Sequence, residues 1–100
     1  MARTLRYHPL FDCDVREAAG WYDRRAPGLG DAFVEVVRRG VSDVVGNPDR
    51  FALSTAGCRY TRLPRFPYVI LFDVAENELL LLAVLHTARS MEKWRERVVD

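Results

Sequence analysis

The chain reads Arg65-Phe66-Pro67-Tyr68-Val69-Ile70-Leu71-Phe72 and, a few residues later, Leu79-Leu80-Leu81-Leu82-Ala83-Val84-Leu85. These two short apolar stretches decide the fold, because they are rich in aromatic and branched side chains and are separated by the turn signal Glu76-Asn77. They predict two antiparallel strands, at Pro67–Val74 and Glu78–Leu85. Apolar side chains occur at both parities of each strand, so both faces of the sheet are expected to be covered.

Upstream of these strands, the sequence predicts two helices joined by a short connection. The first helix is expected to begin at Asp12 as its N-cap and to end near Arg25, before the helix-breaking stretch Ala26-Pro27-Gly28-Leu29-Gly30. The second helix is predicted from a stripe of small and apolar residues at helical spacing, which ends at Gly46-Asn47-Pro48. Its members are Leu29, Phe33, Val36, Val37, Gly40, Val41, Val44 and Val45.

Shorter segments complete the predicted fold. Leu5–His8 and Cys58–Leu63 are expected to be strands, and Met91–Val98 to form a short C-terminal helix capped by Ser90. The order β-α-α-β-β-β with this final helix predicts one α+β domain over residues 1–100, with an antiparallel sheet packed on a helical hairpin. Because the hairpin can cover only one face, the other is expected to be closed by the tail or covered by a partner.

Composition narrows the functional class. The net charge of +1 does not indicate a nucleic-acid binder by itself, although 14 of the 15 basic residues are arginine. Cys13 and Cys58 lie far apart without a metal-ligand spacing, so they are expected to be free thiols in a reducing cytoplasm. The apolar segments are too short for a membrane span. Motifs for a phosphate loop, a metal or a cofactor are lacking, so no metal and no cofactor is expected.

Two groups of polar residues are candidates for function. Arg59, Arg62 and Arg65 come without an acidic residue among them, which is typical either of anion recognition or of a charged edge strand that resists aggregation. Arg59 and Arg62 have opposite parity and are expected on different faces of the strand. His86 and Arg89 follow the last strand, where an imidazole could act as general acid and base or simply hold the strand end.

Aromatic residues at helical spacing are expected to be packing residues rather than base-stacking platforms. They are Trp21, Tyr22 and Trp94.

Taken together, the motifs resemble the RelE/ParE superfamily of toxins from type II toxin–antitoxin systems, and the ParE branch more closely. The resemblance covers nearly the whole chain. It rests on Tyr7-His8-Pro9, Ala18-Ala19-Gly20-Trp21-Tyr22, Pro27-Gly28-Leu29-Gly30-Asp31-Ala32-Phe33, Asn47-Pro48, Arg62-Leu63-Pro64-Arg65-Phe66-Pro67-Tyr68, His86-Thr87-Ala88-Arg89 and Trp94-Arg95-Glu96-Arg97.

The resemblance implies a cytoplasmic toxin that is neutralised in a hetero-oligomer with a cognate antitoxin. ParE-like members inhibit DNA gyrase without catalytic residues of their own, whereas RelE-like members cleave mRNA on the ribosome. A third alternative is an inactive member that only binds the antitoxin. Residues expected to bind the target or partner are Arg59, Arg62, Arg65, Tyr68, His86, Arg89 and Trp94. The ribonuclease alternative would use Arg59, Arg65, His86 and Arg89, but the chain lacks a tyrosine after Tyr68, which favours the ParE branch.

Overall fold

The structure, a computed structural model, describes residues 3–54, 57–89 and 97. It confirms the predicted α+β fold class, and the helices and strands follow the predicted order. The elements are β1 (Thr4–Tyr7), α1 (Phe11–Arg25), α2 (Leu29–Gly46), a 3₁₀ turn (Pro48–Arg50), β2 (Arg59–Arg62), β3 (Tyr68–Val74) and β4 (Glu78–His86). The predicted C-terminal helix at Met91–Val98 and its cap Ser90 lie outside the described residues, apart from Arg97.

The four described strands form one sheet in the order β1-β4-β3-β2. The antiparallel meander β2-β3-β4 is confirmed, but β1 runs parallel to β4, so the sheet is mixed. The reason is topological. The helical hairpin carries the chain back across one face of the sheet before the meander starts, and β3 occupies only one edge of β4. The other edge of β4 is therefore available to the first strand.

A bulge interrupts the pairing between β3 and β4. Leu71 is opposite Ala83 and Phe72 is opposite Leu81, so Leu82 has no partner across the strand pair. A bulged residue leaves backbone groups outside the regular ladder.

The helical hairpin covers one face of the sheet. From α2, the side chains of Phe33, Val37 and Val44 are almost fully buried. They pack in one cluster with inward-facing strand residues such as Ile70 and Phe72. The predicted stripe is thus confirmed in its centre, while Val45 is 45% exposed and does not belong to the core. The helix ends just beyond Val45, where its face turns away from the sheet.

The opposite face of the sheet is also buried within the single chain. Val69, Leu71 and Leu82 are at most 1% exposed, and together with Cys58 and Leu85 they form a second apolar cluster. Apolar side chains at both parities are therefore explained, as expected for strands covered on both sides. The alternative in which this face stays open for a partner is wrong for the described residues.

The start of α1 differs from the prediction. Leu10 occupies the N-cap position without a side-chain hydrogen bond, and Asp12 lies inside the first turn. Instead, the His8 ring contributes at this end, because its Nδ1 accepts a hydrogen bond of 3.0 Å from the Leu10 backbone N–H. Asp12 and Asp14 still stabilise the helix from its first turn, where carboxylates oppose the positive end of the dipole.

Candidate functional site

A cleft of about 550 Å³ opens between α1 and the end of the sheet where β3 begins and β4 ends. The exposed side of α1 forms one wall, and the strand ends form the other. Lining residues are Asp14, Glu17, Ala18, Trp21, Tyr22, Pro67, Tyr68, Val84, Leu85, His86, Ala88 and Arg89. Three residues predicted for the site, Tyr68, His86 and Arg89, therefore meet in one place.

Tyr68 and His86 are fixed relative to each other by the sheet. They are direct partners in the β3–β4 register, and their rings meet edge to face at a centroid distance of 5.2 Å. The His86 Nδ1 accepts a hydrogen bond of 3.0 Å from the Ala88 backbone N–H. In the neutral ring the proton then resides on Nε2, so the imidazole offers the cleft a donor and has no free lone pair.

Burial in the cleft wall raises the pKa of the Tyr68 phenol, and the neighbouring Tyr22 acts in the same direction, while Arg89 opposes them. The phenol therefore stays protonated at neutral pH. Arg89 is exposed, and its backbone N–H donates to the His86 carbonyl over 2.9 Å. This local turn holds the guanidinium at the mouth of the cleft.

The other predicted arginines do not join this cleft. Arg59 is opposite Phe72, four residues along β3 from Tyr68, which corresponds to roughly 13 Å along the strand. Its Nη1 donates to the Phe51 carbonyl over 2.7 Å, so the side chain secures the segment before β2. Arg62 is opposite Val69 and therefore lies on the other face from Arg59, as the parity predicted.

Arg65 lies in the exposed loop between β2 and β3 with a backbone φ of 70°. This left-handed conformation is uncommon for a residue with a β-carbon. Its guanidinium carbon is 5.6 Å from the centroid of the buried Phe66 ring. Trp94, the remaining predicted site residue, lies outside the described residues.

Sequence reasoning missed the contribution of α1 to the cleft. Tyr22 is a packing residue as predicted, since its ring contacts Phe33 and Phe66. Trp21 is different, because it lines the cleft and is 44% exposed. Glu17 lies one turn earlier on the same wall. Their i, i+4 spacing was visible in the sequence, but which sheet edge they face depends on tertiary packing.

Beside the cleft, hydrogen bonds with Asp14 and Arg97 pair the backbone of β4 along the part of its edge that β1 does not reach. The Asp14 carboxylate accepts a hydrogen bond of 3.0 Å from the Val84 N–H and pairs with Arg97 at 2.7 Å. Arg97 also donates to the carbonyl of the bulged Leu82 over 2.8 Å. Backbone groups that neither β1 nor β3 can pair are thereby satisfied. His8 lies nearby, and burial, together with Arg97, lowers its pKa although Asp14 opposes the change.

Within the described ranges, no group of three or more histidine, cysteine or acidic side chains could hold a metal ion. Cys13 and Cys58 are both free, as predicted. Burial raises the pKa of the Cys58 thiol, which disfavours a reactive thiolate. The helices described for this chain include none with the length and apolar character needed to cross a membrane.

Comparison with known proteins agrees with this fold. Residues 5–91 match the family model for the ParE toxin of type II toxin–antitoxin system, parDE. A solved structure described as the chromosomal ParDE TA system from P. aeruginosa superposes with a TM-score of 0.74 at 18% sequence identity, covering 84% of this chain and 95% of that one. A comparison with curated proteins gave no match.

The fold is that of a RelE/ParE-type toxin, with two helices packed on a four-stranded sheet. The family match extends over most of the chain, so this protein belongs to the ParE toxin family of type II toxin–antitoxin systems.

Proposed function

We propose that this toxin inhibits DNA gyrase by binding, without catalytic residues of its own, and that a cognate antitoxin neutralises it in a cytoplasmic hetero-oligomer. Membership of the ParE toxin family supports an antitoxin partner. One geometric observation favours a binding mechanism over a catalytic one. Of the four residues that the ribonuclease alternative would use, only His86 and Arg89 line the cleft, whereas Arg59 and Arg65 do not.

The separation of these residues is the main argument. The Arg59 guanidinium donates a hydrogen bond to the Phe51 carbonyl. Arg59 itself lies about four residues along the strand from the cleft. His86 is in the cleft, but its Nδ1 lone pair is occupied by the Ala88 N–H. A metal-free nuclease needs a proton acceptor, a proton donor and charge stabilisation close together. Arginine cannot take the role of acceptor because it stays protonated.

The lining of the cleft suits a protein segment. Trp21 and Tyr68 provide aromatic surface, His86 and Arg89 provide donors, and Glu17 provides an acceptor. Aromatic anchors with a polar rim are typical of protein recognition sites. An exposed carboxylate on the wall would repel a phosphate backbone that entered the cleft itself. We therefore assign the cleft to a polypeptide, either the target enzyme or the antitoxin.

Controlled expression tests the proposal. The toxin would be induced in cells with and without its antitoxin, with DNA breaks and mRNA cleavage measured separately. We expect DNA breaks without cleavage of mRNA within codons, and rescue by the antitoxin. The ribonuclease alternative has one observation in its favour, the meeting of Tyr68, His86 and Arg89 in one cleft. Cleavage of mRNA within codons would establish it instead.

The variant His86→Gln sharpens the test. Glutamine can keep the hydrogen bond to the Ala88 N–H but cannot exchange protons at neutral pH, so a binding role predicts toxicity close to that of the wild type. General acid and base catalysis contributes roughly 10²–10⁴-fold, and its loss would abolish toxicity. The variant must first be shown to unfold at the same urea concentration as the wild type. Loss of toxicity in a stable His86→Gln protein would contradict the binding mechanism.

A further inference from the structure

The arginines of this protein fall into two sets with different environments. One set is neutralised by carboxylates in the described part of the chain, and it comprises Arg3, Arg6, Arg16, Arg38, Arg39 and Arg97. A second set makes no ion pair with any described residue, and it comprises Arg24, Arg25, Arg50, Arg59, Arg62, Arg65 and Arg89. Four members of this set, Arg25, Arg62, Arg65 and Arg89, lie toward the end of the sheet beside the cleft, and we call these four the arginine end.

Three elements bring the arginine end together. Arg62 is the last residue of β2, Arg65 follows in the next loop, and Arg89 follows the end of β4. The pairing of Tyr68 with His86 places these two chain segments at the same end of the sheet. Arg25, at the end of α1, has its guanidinium carbon 4.3 Å from the centroid of the Trp21 ring, which lines the cleft.

The backbone at Arg65 is a second, independent observation. A φ of 70° is strained for arginine, whereas glycine would adopt it freely. Strained residues persist where the surrounding structure or the function requires the side chain. The Arg65 side chain is exposed and has no carboxylate partner among the described residues, and its guanidinium carbon lies 5.6 Å from the centroid of the Phe66 ring. An interaction outside the chain would account for arginine in this backbone conformation.

We propose that the arginine end docks on the phosphate backbone of duplex DNA. Guanidinium groups bind phosphates in a bidentate manner and suit this task better than lysine. The inference rests on the proposed function, because a toxin bound to a DNA-handling enzyme would lie close to the DNA of that enzyme. The toxin would then contact the enzyme through the cleft and the DNA through the arginine end.

The surroundings favour duplex DNA over other acidic partners. A protein interface has an apolar centre from which charges are depleted. Among the described residues, the exposed large apolar side chains are Leu5, Tyr7, Leu10, Trp21, Val34, Val45 and Leu53, and of these Trp21 alone is in contact with the arginine end. Binding to a single strand needs open aromatic rings for base stacking. Here Phe66 is buried, Tyr68 is half-buried, and Trp21 is covered on one face by Arg25. Backbone contact without stacking is the remaining mode, as in non-specific binding to a duplex.

The test measures binding of the full-length toxin to a fluorescent 30-base-pair duplex by anisotropy over a range of salt concentrations, without gyrase. Four phosphate contacts predict a slope of log K against log salt of about −3.6, or roughly a 150-fold loss of affinity for a fourfold rise in salt. Arg65→Gly should reduce the slope by about 1 while its melting temperature stays equal or rises. Arg65→Lys should keep most of the slope. Arg39→Ala, a matched loss of charge on α2, should change nothing.

Several results would overturn the inference. One is a slope that responds no more to Arg65→Gly than to Arg39→Ala. Another is tighter binding to single-stranded RNA of equal length than to the duplex. A third is loss of gyrase inhibition in Arg65→Gly with unchanged duplex binding, which would indicate that the arginine end contacts a protein and not DNA. The wild-type toxin tested on gyrase separates the two proposals: inhibition without duplex binding refutes only this inference, and duplex binding without inhibition refutes only the proposed function.

Discussion

Replacing Asp14 with alanine should destabilise the protein strongly, because this one carboxylate joins α1 to β4 and to Arg97. Its Oδ2 accepts hydrogen bonds from the Val84 N–H at 3.0 Å and from Arg97 at 2.7 Å, and its Oδ1 accepts from Arg97 at 3.0 Å. The Asp14 and Arg97 side chains are only 14% and 16% exposed. The bond therefore operates mostly out of water, where losing one partner is costly.

The magnitude follows from the groups that Asp14→Ala leaves behind. An unpaired N–H at Val84 costs about 1–3 kcal/mol. Breaking a fully buried ion pair costs about 3–5 kcal/mol. Arg97 keeps its hydrogen bond to the Leu82 carbonyl and some contact with solvent, so the two costs overlap. We expect a loss of about 2–4 kcal/mol in the free energy of unfolding, out of a typical total of roughly 5–15 kcal/mol.

Urea unfolding followed by circular dichroism measures this loss, and heating should show a melting temperature lower by about 8–30 °C. Asp12→Ala is the matched control, since Asp12 lies in the same helical turn but is 75% exposed in its pair with Arg16. An exposed pair of this kind contributes under about 1 kcal/mol. Asp14→Asn should be intermediate, because the amide oxygen can still accept from Val84. If Asp14→Ala costs no more than Asp12→Ala, the proposed closure of the β4 edge is wrong.

Three further predictions follow from single residues. A β-carbon at Gly30 would collide with the Ala19 carbonyl and lie 2.7 Å from Asp23, so Gly30→Ala should lower the melting temperature. Gly46→Ala is the control, because a β-carbon there would lie in open space, and equal effects of the two changes would contradict the close approach of the helices. Burial lowers the pKa of His8 below its usual 6.5, so its contribution to stability is present above about pH 6.5 and is lost as the pH falls further. The wild type should therefore lose more unfolding free energy than His8→Gln between pH 7 and 5, and parallel losses would refute this. Arg59→Ala should speed proteolysis of the segment around Phe51 without reducing gyrase inhibition by the folded protein. A loss of inhibition at equal stability would instead indicate that Arg59 binds the target.

Much of the fold could be predicted because periodicity is a local property of the sequence. The stripe from Leu29 to Val45 predicted α2 to within one residue at each end, and the apolar runs predicted β3 and β4 equally closely. The prediction was wrong where ends depend on neighbours. Leu10 occupies the N-cap position that was predicted for Asp12, because the His8 ring accepts the hydrogen bond of the Leu10 backbone N–H at the start of the helix.

The parts of the site that could not be predicted depend on contacts between distant residues. Asp14 and Val84 are 70 residues apart, and no local pattern shows that a helix carboxylate would pair with a strand edge. Arg59 looked like an anion-binding residue, yet its partner is a backbone carbonyl, which carries no sequence signal. By contrast, the sequence placed His86 and Arg89 at the end of the last strand, and strand pairing brings Tyr68 beside His86 in the cleft.

The most direct test of the central claim uses purified components. Gyrase, supercoiled plasmid and toxin would be incubated with ATP, and DNA cleaved and covalently attached to gyrase would be quantified after detergent and protease treatment. In parallel, the same toxin would be incubated with programmed ribosomes, and their mRNA examined by primer extension. We predict accumulation of linear, gyrase-linked DNA, its reversal by the antitoxin, and intact mRNA. Unchanged gyrase activity together with mRNA cut within codons would contradict the account.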